Sequence, residues 1–155
     1  LLSFITVNAQ EKKELKEGDQ APTFKYLDIN GKEVSLSDLE GKYVYIDVWA
    51  TWCGPCQYEL PHLKELEKKM HGKKIVFVSI SCDKDKAAWE KMVKEQGLGG
   101  VQLHNGGDRE FMTAFGIRGI PRFILLDKKG KIVNPNMTRP SNPETEKTLK
   151  ALKGI

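Results

Sequence analysis

Two cysteines, Cys53 and Cys56, are separated by two residues in the segment Trp52-Cys53-Gly54-Pro55-Cys56. They lie where a predicted strand ends and a predicted helix begins. The unpaired backbone N–H groups in the first turn of a helix stabilise a thiolate at Cys53 and lower its pKa below the usual ~8.5. Cys56 lies one turn further into the helix, within reach of a disulfide bond. The arrangement predicts thiol–disulfide exchange, in which Cys53 attacks and Cys56 resolves the mixed disulfide.

The neighbours of the two cysteines suit this chemistry. Pro55 has no N–H to lose in the first turn of a helix, and Gly54 lets a substrate chain approach closely. Trp52 is expected to flank the disulfide as an apolar platform for partner chains. All three residues are therefore predicted to contact the substrate.

Two other uses of a C-x-x-C pair stay open at this point, namely a permanent structural disulfide and half of a zinc site. A structural zinc ion needs four ligands. The other ligand candidates are Cys82 and three histidines, and none of them forms a second paired spacing. The sequence predicts neither a metal nor another cofactor.

Cys82 is the third cysteine, and it ends the predicted strand Ser79-Ile80-Ser81-Cys82. One interpretation is a buried small apolar residue. The other is a redox-sensitive thiol or the site of an intermolecular disulfide. Nothing in the sequence pairs Cys82 with the two cysteines of the motif.

The elements that must position the motif alternate between strands and helices. The apolar run 43–50 predicts a strand buried on both faces, and apolar residues at spacings of three and four predict a helix from Gly54 to about Met70. Further strands are predicted over 23–29, 32–36, 74–81, 101–104, 122–127 and 132–133, and further helices over 37–41, 84–96, 108–115 and 142–153. This order predicts an α/β protein with a mixed sheet flanked by helices.

Length and composition exclude several classes of protein. A chain of 155 residues corresponds to one domain. With 39% hydrophobic and 30% charged residues, it is neither disordered nor a multi-span membrane protein. The net charge of +4 is scattered, and the basic cluster 68–74 flanks a predicted helix end. We therefore predict no nucleic-acid partner.

The N-terminal residues indicate the cellular location. Residues 1–9 carry no charge and are predicted to be the remnant of a signal peptide, with Val7-Asn8-Ala9 as the cleavage site. An irregular strand or tail is the alternative. Residues 10–20 are polar and predict a linker, so the folded domain is expected to cover 21–155. A signal peptide directs export, so we predict that the protein is extracytoplasmic and lies in the bacterial periplasm.

The segment Trp52–Cys56 after an apolar strand resembles the active-site motif of the thioredoxins. Asp47 stands six residues before the first cysteine, where thioredoxins carry a buried aspartate, and Pro61 stands at their helix-kinking proline. The resemblance implies that Asp47 accepts the proton of the second cysteine as that sulfur attacks. A solvent-facing strand residue is the alternative. Ser79 takes the position where thioredoxins often hold a lysine near this aspartate.

Residues 115–121 resemble the segment that leads to the cis-proline of the thioredoxins. The resemblance implies a cis bond between Ile120 and Pro121, with the Ile120 backbone exposed to pair with an extended substrate beside Cys53. A proline that merely begins a strand is the alternative. The resemblance spans about residues 43–133.

Two additions make the chain similar to the ResA/TlpA-like thioredoxins, which are exported thiol–disulfide oxidoreductases. One is the hairpin within 23–36, and the other is the helix and strand inserted between Asp83 and Pro121. A glutamate at the position of Glu59 lies near the active site of these proteins and is expected to tune both thiols. A solvated charge on the helix surface is the alternative.

The resemblance implies an enzyme that reduces disulfide bonds in exported client proteins. The client would be a disulfide-containing protein such as an apocytochrome c, and a membrane thiol–disulfide protein would donate the electrons. The Gly-Pro pair between the cysteines matches the reducing thioredoxins. The alternatives are an extracytoplasmic oxidant or isomerase, and a module that binds peptides without catalysis. The protein is expected to be a monomer.

Overall fold

The computed structural model describes residues 14–155. The strands in this part of the chain are β1 (Lys25–Asp28), β2 (Glu33–Ser35), β3 (Tyr43–Trp49), β4 (Ile75–Ser81), β5 (Val101–His104), β6 (Arg122–Leu126) and β7 (Ile132–Asn134). The helices are α1 (Gly54–Lys69), α2 (Lys86–Glu95), α3 (Glu110–Ala114) and α4 (Pro143–Lys150), and a 3-10 turn covers Leu36–Leu39. The predicted signal-peptide remnant lies outside the described residues.

The strands form one mixed sheet in the order β2-β1-β5-β4-β3-β6-β7. The central strands β5, β4 and β3 are parallel to one another, whereas β6 is antiparallel to β3. The hairpin of β1 and β2 extends the sheet beyond β5, also in antiparallel pairing. The predicted mixed sheet flanked by helices is confirmed.

Strand β3 is buried along its whole length, as its apolar sequence predicts. Its even-numbered residues Val44, Ile46 and Val48 pack into one apolar cluster. Its odd-numbered residues Tyr43 and Tyr45 pack into a second cluster, together with the inner face of α1. Side chains alternate between the faces of a strand, so the odd-numbered face of β3 is the face that α1 covers.

Several helices begin at different residues from those predicted. The carboxylate of Asp85 caps α2 by accepting the N–H of Ala88, so this helix begins at Lys86 rather than Lys84. Helix α3 begins at Glu110, and its N-cap is Arg109 rather than Asp108, although the carboxylate of Asp108 accepts the N–H of Glu110 at 2.9 Å. The predicted helix over 37–41 is the 3-10 turn.

Part of the predicted linker is hydrogen-bonded to the sheet. Gly18 donates its N–H to the carbonyl of Ile132, and Ile132 donates back to Asp19, both at 2.8 Å. Ala21 donates to the carbonyl of Gly130 at 3.0 Å. Hydrogen-bonded structure therefore starts by Gly18, a few residues before the predicted domain boundary.

Within residues 14–155, none of the helices has the length and apolar character that crossing a bilayer requires.

Candidate active site

The two cysteines of the motif form a disulfide bond at the N-terminus of α1. Cys53 is the N-cap of this helix, and Pro55 occupies its first turn. The backbone N–H of Cys56 donates to Sγ of Cys53 at 3.3 Å. A thiolate at Cys53 would receive this hydrogen bond and the favourable field of the helix terminus, which lower its pKa. The predicted position of the pair is confirmed.

The two cysteines are similarly buried, but only one of them lies on a surface groove. Cys53 is 5% exposed and Cys56 is 3% exposed. Cys53 lines a surface groove of about 1120 Å³. Cys56 packs with Trp49 and Trp89 inside the protein and is not among the described residues that line the groove. A client sulfur in the groove would thus meet Cys53 first.

Most of the predicted substrate contacts line this groove. Trp52, Gly54, Pro55 and Ile120 all contribute to its walls, and Trp52 is 71% exposed. Pro121 does not belong to the described lining. A side chain at Gly54 would have no atom within 4 Å, so the surface above the disulfide is open.

The backbone of Ile120 lies beside the disulfide. The bond between Ile120 and Pro121 is cis, as the resemblance implies. The carbonyl oxygen of Ile120 lies 3.8 Å from Sγ of Cys53. In the reduced protein the Cys53 thiol can donate to this oxygen. The predicted proximity of Ile120 to Cys53 is confirmed.

Asp47 is a buried carboxylate in the middle of β3. It is 4% exposed, and Ser79 is its direct neighbour on β4. The hydroxyl of Ser79 donates to Oδ1 of Asp47 at 2.5 Å. Burial raises the pKa of Asp47 to about 7, the Ser79 hydrogen bond opposes this shift, and the negative charge of Glu67 adds to it. The predicted burial is confirmed, and the pKa suits a proton acceptor at neutral pH.

Asp47 and Cys56 belong to the same side of the sheet. Asp47 shares the odd-numbered face of β3 with Tyr45 and Trp49. Tyr45 packs in the cluster beneath α1, and Trp49 packs in the cluster that contains Cys56. The strand therefore turns the carboxylate towards the layer that holds the second sulfur.

Glu59 is also buried, and its partner lies in the loop before α4. It is 3% exposed. Its Oε1 accepts the N–H of Ser141 at 3.2 Å and the hydroxyl of Ser141 at 2.5 Å. Its Oε2 is buried and has no hydrogen-bond partner among residues 14–155. The interpretation of Glu59 as a solvated surface charge is wrong, and its influence on the thiols stays a prediction.

Cys82 lies at the end of β4 and lines the same groove as Cys53. It is half-buried and has a free thiol. Burial raises the pKa of this thiol, and the nearby carboxylate of Asp83 raises it further. Cys82 is thus neither a fully buried apolar residue nor part of the disulfide.

Thr51 and Asp83 form a hydrogen-bonded pair at the edge of the site that was not predicted from the sequence. Asp83 is 2% exposed and accepts hydrogen bonds from Thr51, which precedes the motif by one residue, and from Ser81. Thr51 follows the end of β3 and Asp83 follows the end of β4. Because β3 and β4 are parallel neighbours, their carboxyl ends meet at one edge of the sheet. Two polar residues at these two strand ends are the signal that was available.

No group of three or more potential metal ligands occurs among residues 14–155.

Comparison with known proteins links this site to one kind of chemistry. The Redoxin family profile matches residues 16–152. The thiol-disulfide oxidoreductase ResA of Bacillus thuringiensis is 31% identical over 143 residues, which cover 92% of this chain and 82% of the Bacillus protein.

Two solved structures from Bacteroides show the same similarity. A solution structure from Bacteroides vulgatus, provisionally assigned as a thiol-disulfide oxidoreductase, is 65% identical. Its TM-score is 0.77, and the match covers 84% of this chain and 86% of that one. The solution structure of a thiol:disulfide interchange protein from Bacteroides sp. is 29% identical, with a TM-score of 0.79. This match covers 88% of this chain and 89% of that one.

Proposed function

The chain belongs to the Redoxin family of the thioredoxin superfamily, and we propose that this thiol–disulfide oxidoreductase reduces disulfide bonds in exported client proteins. The arrangement of the two sulfurs supports this role more than any other feature. Sγ of Cys53 sits at the helix N-terminus and on the open groove, whereas Cys56 packs behind it. One sulfur is placed to attack a client and the other to release it.

The catalytic cycle starts from the reduced protein. The Cys53 thiolate attacks a client disulfide, which forms a mixed disulfide and releases one client thiolate. Asp47 accepts the proton of Cys56, and the resulting thiolate attacks the sulfur of Cys53. The second client thiolate leaves, and Cys53 and Cys56 form their disulfide. Two electrons have then passed from the protein to the client.

A thiol–disulfide protein of the membrane returns the protein to its reduced form by the same exchange in reverse. The uncharged residues 1–9 and the similarity to the exported ResA/TlpA-like proteins support a location outside the cytoplasm. In that compartment an apocytochrome c, whose cysteines must be reduced before they react with haem, is a client of suitable chemistry.

The direction of electron flow is tested by the reduction potential of the Cys53–Cys56 pair. A Cys82→Ser background leaves one dithiol to titrate against dithiothreitol or glutathione buffers. We expect a potential near the value of about −270 mV found for thioredoxin. A value above about −180 mV, in the range of the disulfide isomerases, would contradict the reductase proposal and favour an isomerase or an oxidant.

The roles of the two sulfurs are tested by matched serine variants. A Cys56→Ser variant is expected to accumulate a mixed disulfide with a client peptide, because the resolving sulfur is absent. A Cys53→Ser variant is expected to form none. Accumulation with Cys53→Ser instead would reverse the assignment of the attacking sulfur.

A further inference from the structure

The groove beside Cys53 carries basic side chains from three different segments of the chain. Lys84, Arg109 and Arg118 are exposed and line the groove. In the described part of the chain, none of the three forms an ion pair. Three positive charges in one concave surface create a potential that attracts anionic groups.

The acidic residues of the same groove have other partners. The carboxylate of Asp83 accepts hydrogen bonds from Thr51 and Ser81 inside the protein. Asp85 caps α2, where its carboxylate accepts the N–H of Ala88 at 3.2 Å and meets the positive end of the helix. The lining thus carries three cations and two carboxylates, a net charge of +1, and one of the two carboxylates, Asp83, is buried.

One of the basic residues, Arg118, belongs to the segment that lies beside the reacting sulfur. Arg118 is two residues from Ile120, whose carbonyl oxygen is 3.8 Å from Sγ of Cys53. Two residues span at most about 7 Å. Arg109 and Arg118 also line a second depression, whose walls include Glu14 and Glu110. A residue that flanks a client cysteine would thus come within reach of Arg118, and the same groove extends to Arg109 and Lys84.

We propose that the groove selects client segments in which acidic residues flank the reactive cysteine. The inference rests on the proposed function, because the client must place its sulfur against Cys53. The apolar part of the client segment would pack on exposed Trp52 and on Ile120. The carboxylates of the client would lie near Arg109 and Arg118. Opposite charges raise the rate of encounter and hold the segment in register.

The test uses three disulfide-bonded synthetic peptides of equal length, in which the cysteines are flanked by glutamate, by serine or by lysine. The rate constant for reduction by the pre-reduced protein is measured for each at low ionic strength. We expect the order glutamate, serine, lysine, with about a tenfold difference between the first and the last. In about 0.5 M salt the difference should shrink severalfold, because the charges are screened.

A pair of variants separates the groove from the overall charge of the protein. Arg109→Glu combined with Arg118→Glu is expected to reverse the order of the glutamate and lysine peptides. Lys129→Glu combined with Lys131→Glu provides the matched control with the same change of net charge, because both are exposed residues between β6 and β7, at the opposite end of β6 from the groove. This control is expected to retain the original order. Melting temperatures verify that each variant is folded.

The possible results separate a failure of the client-selection inference from a failure of the proposed function. Equal rates for the glutamate and lysine peptides, with the serine peptide still reduced, would overturn the inference and leave the proposed function intact. A reversal caused equally by the Lys129→Glu and Lys131→Glu pair would also overturn it, since the effect would then come from net charge. No reduction of the serine peptide would overturn both proposals.

Discussion

The carboxylate of Asp83 accepts both the backbone N–H of Thr51, at 3.1 Å, and its hydroxyl, at 2.7 Å. These hydrogen bonds join the end of β4 to the end of β3. Thr51 stands two residues before Cys53, so the same contact holds the chain that delivers the attacking sulfur to α1. Asp83 acts here as a positioning residue.

Asp83→Ala is expected to lower the free energy of unfolding by about 2–3 kcal/mol, because it leaves the polar groups of half-buried Thr51 and buried Ser81 without an acceptor. Thr51→Val removes the hydroxyl alone and should cost about 1 kcal/mol. Urea unfolding of the oxidised proteins measures both changes. Equal stabilities of Asp83→Ala and the wild type would show that the contact does not hold this loop.

Asp47 is expected to make stability depend on pH. Its pKa is about 7 in the folded protein and 3.8 ordinarily, so between these values the folded state binds a proton that the unfolded state lacks. The contribution of Asp47 to the free energy of unfolding is therefore fully present below about pH 4 and is lost as the pH rises through 7. We compare the free energy of unfolding of Asp47→Asn with that of the wild type at two pH values. The difference should favour the variant more at pH 8 than at pH 4, by on the order of 3 kcal/mol. A stability difference that is independent of pH would contradict the raised pKa.

The same carboxylate is expected to control release of the client. In single-turnover experiments, the rate at which Cys56 resolves the mixed disulfide should rise with pH through about 7, as Asp47 loses its proton. Asp47→Asn should slow this step about 100-fold. Ser79→Ala removes the hydrogen bond that lowers the pKa of Asp47 and should move the profile to higher pH. An unchanged profile in both variants would remove Asp47 from the mechanism.

Glu59 is expected to influence the second sulfur through its charge, because it lies three residues after Cys56 on α1, one helical turn away. Glu59→Gln should lower the pKa of the Cys56 thiol, because it removes a nearby negative charge. Ser141→Ala is the matched control, since it removes the hydroxyl that donates to Glu59 but keeps the carboxylate and the backbone N–H of residue 141. The absorbance of the thiolates against pH measures both. Equal shifts in the two variants would indicate a packing effect instead.

Cys82 is expected to react slowly in spite of its position on the groove, because burial raises the pKa of its thiol. In the reduced protein at pH 7, iodoacetamide should modify Cys53 at least about tenfold faster than Cys82. Mass spectrometry of the modified peptides gives the two rates. Faster modification of Cys82 would favour its interpretation as a redox-sensitive thiol.

The sequence alone predicted the alternation of strands and helices and the place of the disulfide. These features depend on local patterns. The apolar run of β3 requires a strand covered on both faces, and the cysteines follow it at once and open a helix with Pro55 in its first turn. The observed ends of several helices differ from the predicted ones, but the order of the strands and helices along the chain does not.

The burial of Asp47 was implied by the resemblance to the thioredoxins, and its place within an apolar strand agrees with this. Its partner Ser79 was located by resemblance, and the parallel register of β3 and β4 places the two side by side. The structure adds the hydrogen bond between them and the pKa that follows from burial.

Only the tertiary structure decided which distant residues meet. Glu59 contacts Ser141 from 82 residues away, and Thr51 contacts Asp83 from 32 residues away. The cations Lys84, Arg109 and Arg118 come together only because the strand order brings their segments to one edge of the sheet. Local periodicity specifies which face of an element is apolar, whereas strand order and register specify which elements touch. The redox pair can therefore be recognised in the sequence, whereas the side chains that surround it are brought together by the fold.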